Sequence, residues 1–202
     1  MDFIQVLQIV FVLFPSIVLH EYAHGWVALL LGDATAKQSG RLTLNPFKHI
    51  DPVGTILLPL ALYFSHAGIL FGWAKPVPVN YENLKSPRRD MMLVAAAGPA
   101  SNFVLAILFS LLLKTNLIFQ FKDFLDFGIY VNLLLAIFNL IPIPPLDGSR
   151  LVMGVLPKRW GAWYRRLEIY GIFIVMALLY MGLMRELIFP WIVQCAQFLG
   201  VR

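Results

Sequence analysis

The chain has 202 residues, of which 59% are hydrophobic and only 13% charged; its mean hydropathy is +0.76. A soluble domain carries about 25% charged residues, so composition indicates a membrane protein, one bundle of roughly four to six spans with no room for a sizeable soluble domain. The net charge of +5 is weak evidence for a nucleic-acid partner, and Cys195, the only cysteine, excludes an intrachain disulfide or a cysteine metal cluster.

The first apolar run, residues 3–31, is long enough to cross ~30 Å of hydrocarbon with tilt. It lacks the basic start and A-x-A-like end of a cleaved leader and reads as a retained span. Its single charge, Glu21, lies in His20-Glu21-Tyr22-Ala23-His24. Imidazoles four apart share one helix face, where both reach one metal ion, and the glutamate falls beside that ion as a general base for water. Pro15 predicts a kink before this motif, either as an ordinary membrane-helix proline or as a device that shapes the site.

After Gly32-Asp33, the alternating stretch 40–46 reads as a short strand or hairpin at the membrane surface. Asp51-Pro52 predicts the capped start of a second run, 53–71, carrying His66, a third-ligand candidate or an interhelical partner. Residues 72–80, Gly-Trp-Ala-Lys-Pro-Val-Pro-Val-Asn, cannot be helical and should be extended. Within them Lys75, Pro76, Val77, Pro78 and Val79 could pair with a substrate strand, or the stretch could be a plain connector.

A third run, 91–113, begins with small residues that permit close helix approach and includes Asn102, a candidate interhelical hydrogen-bonding group. A fourth, 127–141, places Asn132 and Asn139 on one face, a polar interior seam. It ends in a proline-rich turn before Asp147-Gly148, where Asp147 is either a third metal ligand or a turn residue paired with Arg150. A basic stretch, 151–168, precedes a fifth run, 169–189, and an apolar tail.

His20-Glu-Tyr-Ala-His24, Gly98-Pro-Ala-Ser-Asn102 and Asn139-x-x-Pro142-x-x-x-Leu146-Asp147-Gly148 occur in the order of the motifs of the site-2 proteases, intramembrane zinc metalloproteases, and the chain resembles the compact prokaryotic branch of that family over most of residues 15–150. The resemblance implies one zinc ion held by His20, His24 and Asp147, Glu21 as general base, and Asn102 and Asn139 supporting substrate or transition-state charge. It also implies hydrolysis of peptide bonds in transmembrane protein substrates (regulated intramembrane proteolysis), without PDZ or CBS domains. The expected fold is all-α and polytopic in the cell membrane, one domain over residues 1–202: a catalytic core of about 3–150, then a C-terminal span and tail, 168–202. About five spans would be joined by a short re-entrant extended segment lining the site.

Topology supplies a constraint. If every run alternated, basic residues would divide nine to seven, an uninformative split, and Asp147 would lie toward the face opposite the histidines. If instead residues 72–80 return through the interior, the first and fourth runs become parallel. Lys37, Arg41, Lys48, Lys85, Arg88, Arg89, Arg150, Lys158, Arg159, Arg165 and Arg166 then share one side against Lys114, Lys122, Arg185 and Arg202. This predicts an external N-terminus and a zinc site nearer the cytoplasmic face, the chain in contact with bilayer and substrate and no nucleic acid. Two alternatives compete with this reading: a membrane zinc protease taking its third ligand from Glu168 or Glu186, and a catalytically silent relative acting as a binding module or chaperone. A transporter would need more intramembrane carboxylates.

Overall fold

The computed structural model describes residues 8–66, 71–115 and 119–201. Among them every regular element is helical and no strand forms. The first run becomes a π-helical turn, Ile9–Leu13, followed by helix α1, Phe14–Leu30. Pro15 therefore sits just after the point where the continuous helical stretch passes from π to α, and its missing N–H falls at that change in the hydrogen-bond ladder. Gly32, at φ 112°, closes α1 in a conformation that disfavours a Cβ. Beyond it Asp33, fully buried, accepts hydrogen bonds from Thr35, from the Asn80 N–H and from Asn83 Nδ2.

Residues 40–46 form turns rather than the expected strand or hairpin. Gly40 has φ 64°, the Thr43 N–H bonds to Arg41 O at 3.0 Å, and Asn45 Oδ1 caps the 3-10 turn Pro46–His49 through the Phe47 N–H. These local bonds take the groups a ladder would need.

In the second run, expected over 53–71, the described helix ends at Phe64, and residues 67–70 lie outside the described residues. Asp51 Oδ1 accepts the N–H groups of Val53 and Gly54 and starts a π-helical turn, Pro52–Leu57, which continues as α2, Leu58–Phe64. The two cover roughly 20 Å at ~1.5 Å per residue, against ~30 Å of hydrocarbon. His66, exposed at the end of this excursion with φ 52°, lies outside the cluster of candidate ligands described below. Residues 71–80 return without regular structure: the Trp73 N–H meets Gly54 O at 3.1 Å, Thr55 Oγ1 meets Trp73 O at 2.8 Å, and the Lys75 N–H meets His49 O at 2.8 Å. A Cβ on Gly54 would lie 2.2 Å from the Trp73 ring, so a glycine is what lets the two limbs touch.

Helix α3, Pro87–Lys114, begins with the Ser86 N–H on Asp90 Oδ2. It packs between α1 and α4, Lys122–Asn139. Gln8 Nε2 lies 3.5 Å from Asp123 O near the start of α4, and the histidines and Asp147 meet toward the other end, so α1 and α4 run in the same direction. Helices α5, Asp147–Val155, and α6, Lys158–Arg166, occupy the basic stretch. The expected fifth span and tail are instead α7, Glu168–Tyr180, and α8, Leu183–Leu199, bent by 77° at a break where Gly182 has φ 75°. Pro190, expected in the tail, lies inside α8, which packs Met184, Ile188 and Ile192 against Ile129 and Leu133 of α4.

Among the described residues one helix, α3, is long and apolar enough to cross a membrane, or two if the bent α7–α8 pair counts as one span. Exposure inverts that of a water-soluble protein: Val104, Ile107, Leu108 and Leu111 of α3 and Ile169, Phe173 and Tyr180 of α7 face outward, while Ser16, Asn102 and Asn132 are buried between helices.

Candidate active site

On α1, His20 and His24 project one turn apart and are both buried. They face α3 at Gly98, where a Cβ would come within 2.4 Å of His24 Nε2 and 2.6 Å of His20 Nε2. Each ring is anchored by its other nitrogen. His24 Nδ1 lies 2.7 Å from Val94 O, a carbonyl that can only accept, so Nδ1 carries the proton and Nε2 a lone pair. His20 Nδ1 lies 2.6 Å from Asn102 Oδ1. The Asn102 amide nitrogen faces Ser16 O at 3.3 Å and Asn132 Oδ1 at 3.0 Å, which turns its oxygen toward His20 and fixes the same tautomer there.

Asp147 opens α5 after the turn that ends α4. A Cβ on Gly148 would lie 2.1 Å from Leu140 O, so a glycine is needed for this close return. The Asp147 carboxylate reaches both histidines: Oδ2 is 3.2 Å from each Nε2, and the two Nε2 atoms are 3.0 Å apart. The three ligand atoms lie within 4.8 Å of one another. Two imidazole Nε2 atoms and a carboxylate oxygen converge, and Asp147 Oδ2 is buried without a hydrogen-bond partner. Such a group repels itself unless a cation sits among its members, and two imidazoles with one carboxylate are a donor set for catalytic zinc.

Glu21 lies beside this cluster on the wall of a 710 Å³ cavity, where its Oε2 accepts the Val77 N–H at 2.7 Å. The extended segment contributes Gly72, Trp73, Pro76, Val77 and Val79 to that cavity, and Val77 packs where a Cβ on Gly25 would lie. Of the five residues expected to pair with substrate, Pro76 and Pro78 have no N–H, Lys75 gives its own to His49 and Val77 to Glu21. Of those five, only Val79 has an N–H left for a substrate strand, together with carbonyl acceptors. The segment as placed holds Glu21 more than it offers a ladder.

The two asparagines separate. Asn139 lines the cavity and spends one N–H on Leu135 O at 2.9 Å, leaving its second amide N–H uncommitted. Asn102 does not reach the cavity: it is fully buried with both N–H groups committed, so the oxyanion role expected of it gives way to orienting His20. At the rim Arg150 pairs with Glu168 rather than with Asp147, and its guanidinium sits 5.6 Å over the Tyr81 ring. That pairing leaves Glu168 out of the ligand cluster. The Val77 N–H and the Val94 carbonyl carry no side-chain signal and could not be found from sequence; Gly98 was visible only as part of a motif.

A family model described as "Peptidase family M50" matches residues 113–182. The chain is 43% identical over 180 residues to "Putative zinc metalloprotease YwhC" of Bacillus subtilis, covering 84% of this chain and 78% of that protein. It is 34% identical over 139 residues to "Putative zinc metalloprotease Rip2" of Mycolicibacterium smegmatis, and 36% identical over 138 residues to the Mycobacterium tuberculosis protein of the same description. Those matches cover 66% of this chain and 51% of each mycobacterial protein. No solved structure matches the chain. Identity of this extent over most of both chains, together with a histidine–histidine–aspartate cluster beside a glutamate, establishes that the chain belongs to peptidase family M50, the site-2 protease family of zinc metalloproteases.

Proposed function

We propose that this protein is an intramembrane endopeptidase that cuts transmembrane segments of protein substrates, with His20, His24 and Asp147 holding one zinc ion and Glu21 as general base. The observation that carries the reading is the convergence of three ligand atoms within 4.8 Å beside a carboxylate on a cavity wall. Zinc bound there supplies Lewis acidity, lowering the pKa of water toward ~7 and polarising the scissile carbonyl. Glu21, held by the Val77 N–H, takes the proton of the attacking water and returns it to the leaving amine. The free amide N–H of Asn139 is placed to donate to the developing oxyanion. Ile17, Phe71, Trp73, Leu135 and Phe138 give the cavity apolar walls suited to a hydrophobic segment unwound at the cleavage point.

The outward apolar faces, the short Pro52–Phe64 excursion and the parallel course of α1 and α4 support a placement in the membrane. The expected division of eleven basic residues against four, with the larger group on the side of the metal cluster, supports an external N-terminus and an active site nearer the cytoplasm. Tagging residue 1 and the Arg159 region for compartment-specific labelling tests this, and labelling of both from one side overturns it. The catalytic reading is tested with purified protein in detergent and a model membrane substrate. Wild type should cleave, whereas Glu21→Gln and chelator-treated enzyme should not; equal cleavage in all three refutes it.

A further inference from the structure

Beneath the candidate ligands two buried amides continue a hydrogen-bonded line from the His20 imidazole across three helices. Asn132 of α4 is fully buried, and its Nδ2 lies 2.9 Å from Gly128 O in the preceding turn. Its Oδ1 lies 3.0 Å from Asn102 Nδ2 on α3, and Asn102 Oδ1 lies 2.6 Å from His20 Nδ1 on α1. The polarity of this line is forced from its far end. Gly128 O can only accept, so the Asn132 atom facing it is nitrogen and the one facing Asn102 is oxygen. Asn102 must then present nitrogen to Asn132 and oxygen to His20, and His20 must carry its proton on Nδ1. We propose that Asn132, which touches neither the ligand cluster nor the cavity, is a positioning residue that locks the His20 tautomer and so keeps Nε2 free for the metal. The inference rests on His20 being a metal ligand, as proposed above.

Without Asn132 the orientation of Asn102 would be held only by Ser16 O at the longer distance of 3.3 Å. A flipped Asn102 would offer N–H to His20 Nδ1, moving the imidazole proton to Nε2, where it competes with a metal ion. The same three side chains, two amides and the His20 imidazole, also join α1, α3 and α4 at one depth, a structural service that any well-packed replacement could share. Metal affinity, measured apart from stability, separates the two roles.

The test is zinc affinity of the purified full-length protein by chelator competition, read together with the absorption of the cobalt-loaded form and the melting temperature of the metal-free form. Asn132→Leu removes the acceptor and should weaken zinc binding about tenfold or more, the range typical of groups that orient a ligand. Asn132→Asp, protonated when buried, can donate to Gly128 O and accept from Asn102, and should restore near wild-type affinity and spectrum. If Asn132→Leu does not fold, Asn132→Ser, whose hydroxyl is too short to reach Asn102, carries the same expectation. Wild-type zinc affinity in the leucine or serine variant, with affinity lost in His20→Ala, overturns the relay alone. Failure of wild type itself to bind zinc, with His20→Ala no different, overturns the metal site and the relay with it.

Discussion

Replacing Gly98 by alanine separates function from stability with one methyl group. The added Cβ would lie 2.4 Å from His24 Nε2 and 2.6 Å from Cε1 and Nε2 of His20, where ordinary contact begins near 3.4 Å. The rings would have to retreat by about 1 Å, and neither can do so freely, because Val94 O and Asn102 Oδ1 hold the opposite edges. Metal–ligand distances tolerate only ~0.2 Å, and a displacement of ~1 Å at a catalytic group costs roughly 10²-fold in rate. Stability is balanced by opposing effects: alanine favours a helix over glycine by about 1 kcal/mol, while overpacking costs about 1–3 kcal/mol. Gly98→Ala should therefore lose about 10²-fold in activity and much of its zinc affinity while the metal-free protein melts within a few degrees of wild type. Cleavage of a membrane substrate, chelator competition and thermal melting in one detergent measure the three quantities. Wild-type activity and zinc affinity in Gly98→Ala would refute the placement of the histidines against α3.

Glu21→Gln should lower cleavage by about 10²–10⁴-fold while zinc still binds, since it removes only the proton acceptor; loss of zinc in this variant would assign Glu21 to the ligand set. Burial opposes charge on Asp33, but hydrogen bonds from Thr35, Asn83 and the Asn80 N–H outweigh it and hold the carboxyl below its ordinary value of 3.8. A carboxyl depressed on folding stabilises the fold fully above its unfolded value, and that stability is lost as pH falls through the folded value. Asp33→Asn should cost about 1–3 kcal/mol near neutrality and flatten the acid limb of a melting-temperature profile; an unchanged limb would contradict this. Gly182→Ala places a Cβ at φ 75° and should cost about 1–2 kcal/mol by strain at the α7–α8 bend. An equal or higher melting temperature would show that the bend does not need glycine.

Legibility followed the range of the interactions. Helical periodicity is local, so His20 and His24 could be placed on one face before any fold was known, and the prolines around residue 76 ruled out helix there. Strand geometry at 40–46 failed because the short-range bonds of Arg41, Thr43 and Asn45 satisfied the backbone first. Apolar content cannot say where a helix stops, and in the 53–71 run the described helix stops at Phe64. The fifth run hid a break, since Gly182 interrupts a sequence whose composition is apolar on both sides.

By itself the sequence determined the chemistry on offer: two imidazoles a turn apart, a glutamate between them, an aspartate fixed by prolines and a glycine, and too few other charges to build a different site. Those are choices of residue type and spacing, and they are written in the chain. What only the tertiary structure decided is which groups are spent on one another. It placed Asp147 3.2 Å from both histidines across more than a hundred residues, gave the Val77 N–H to Glu21 rather than to a substrate strand, and turned Asn102 from the cavity to the back of His20. Hydrogen bonds and close packing between distant segments depend on orientation to fractions of an ångström, and no local pattern along the chain encodes that.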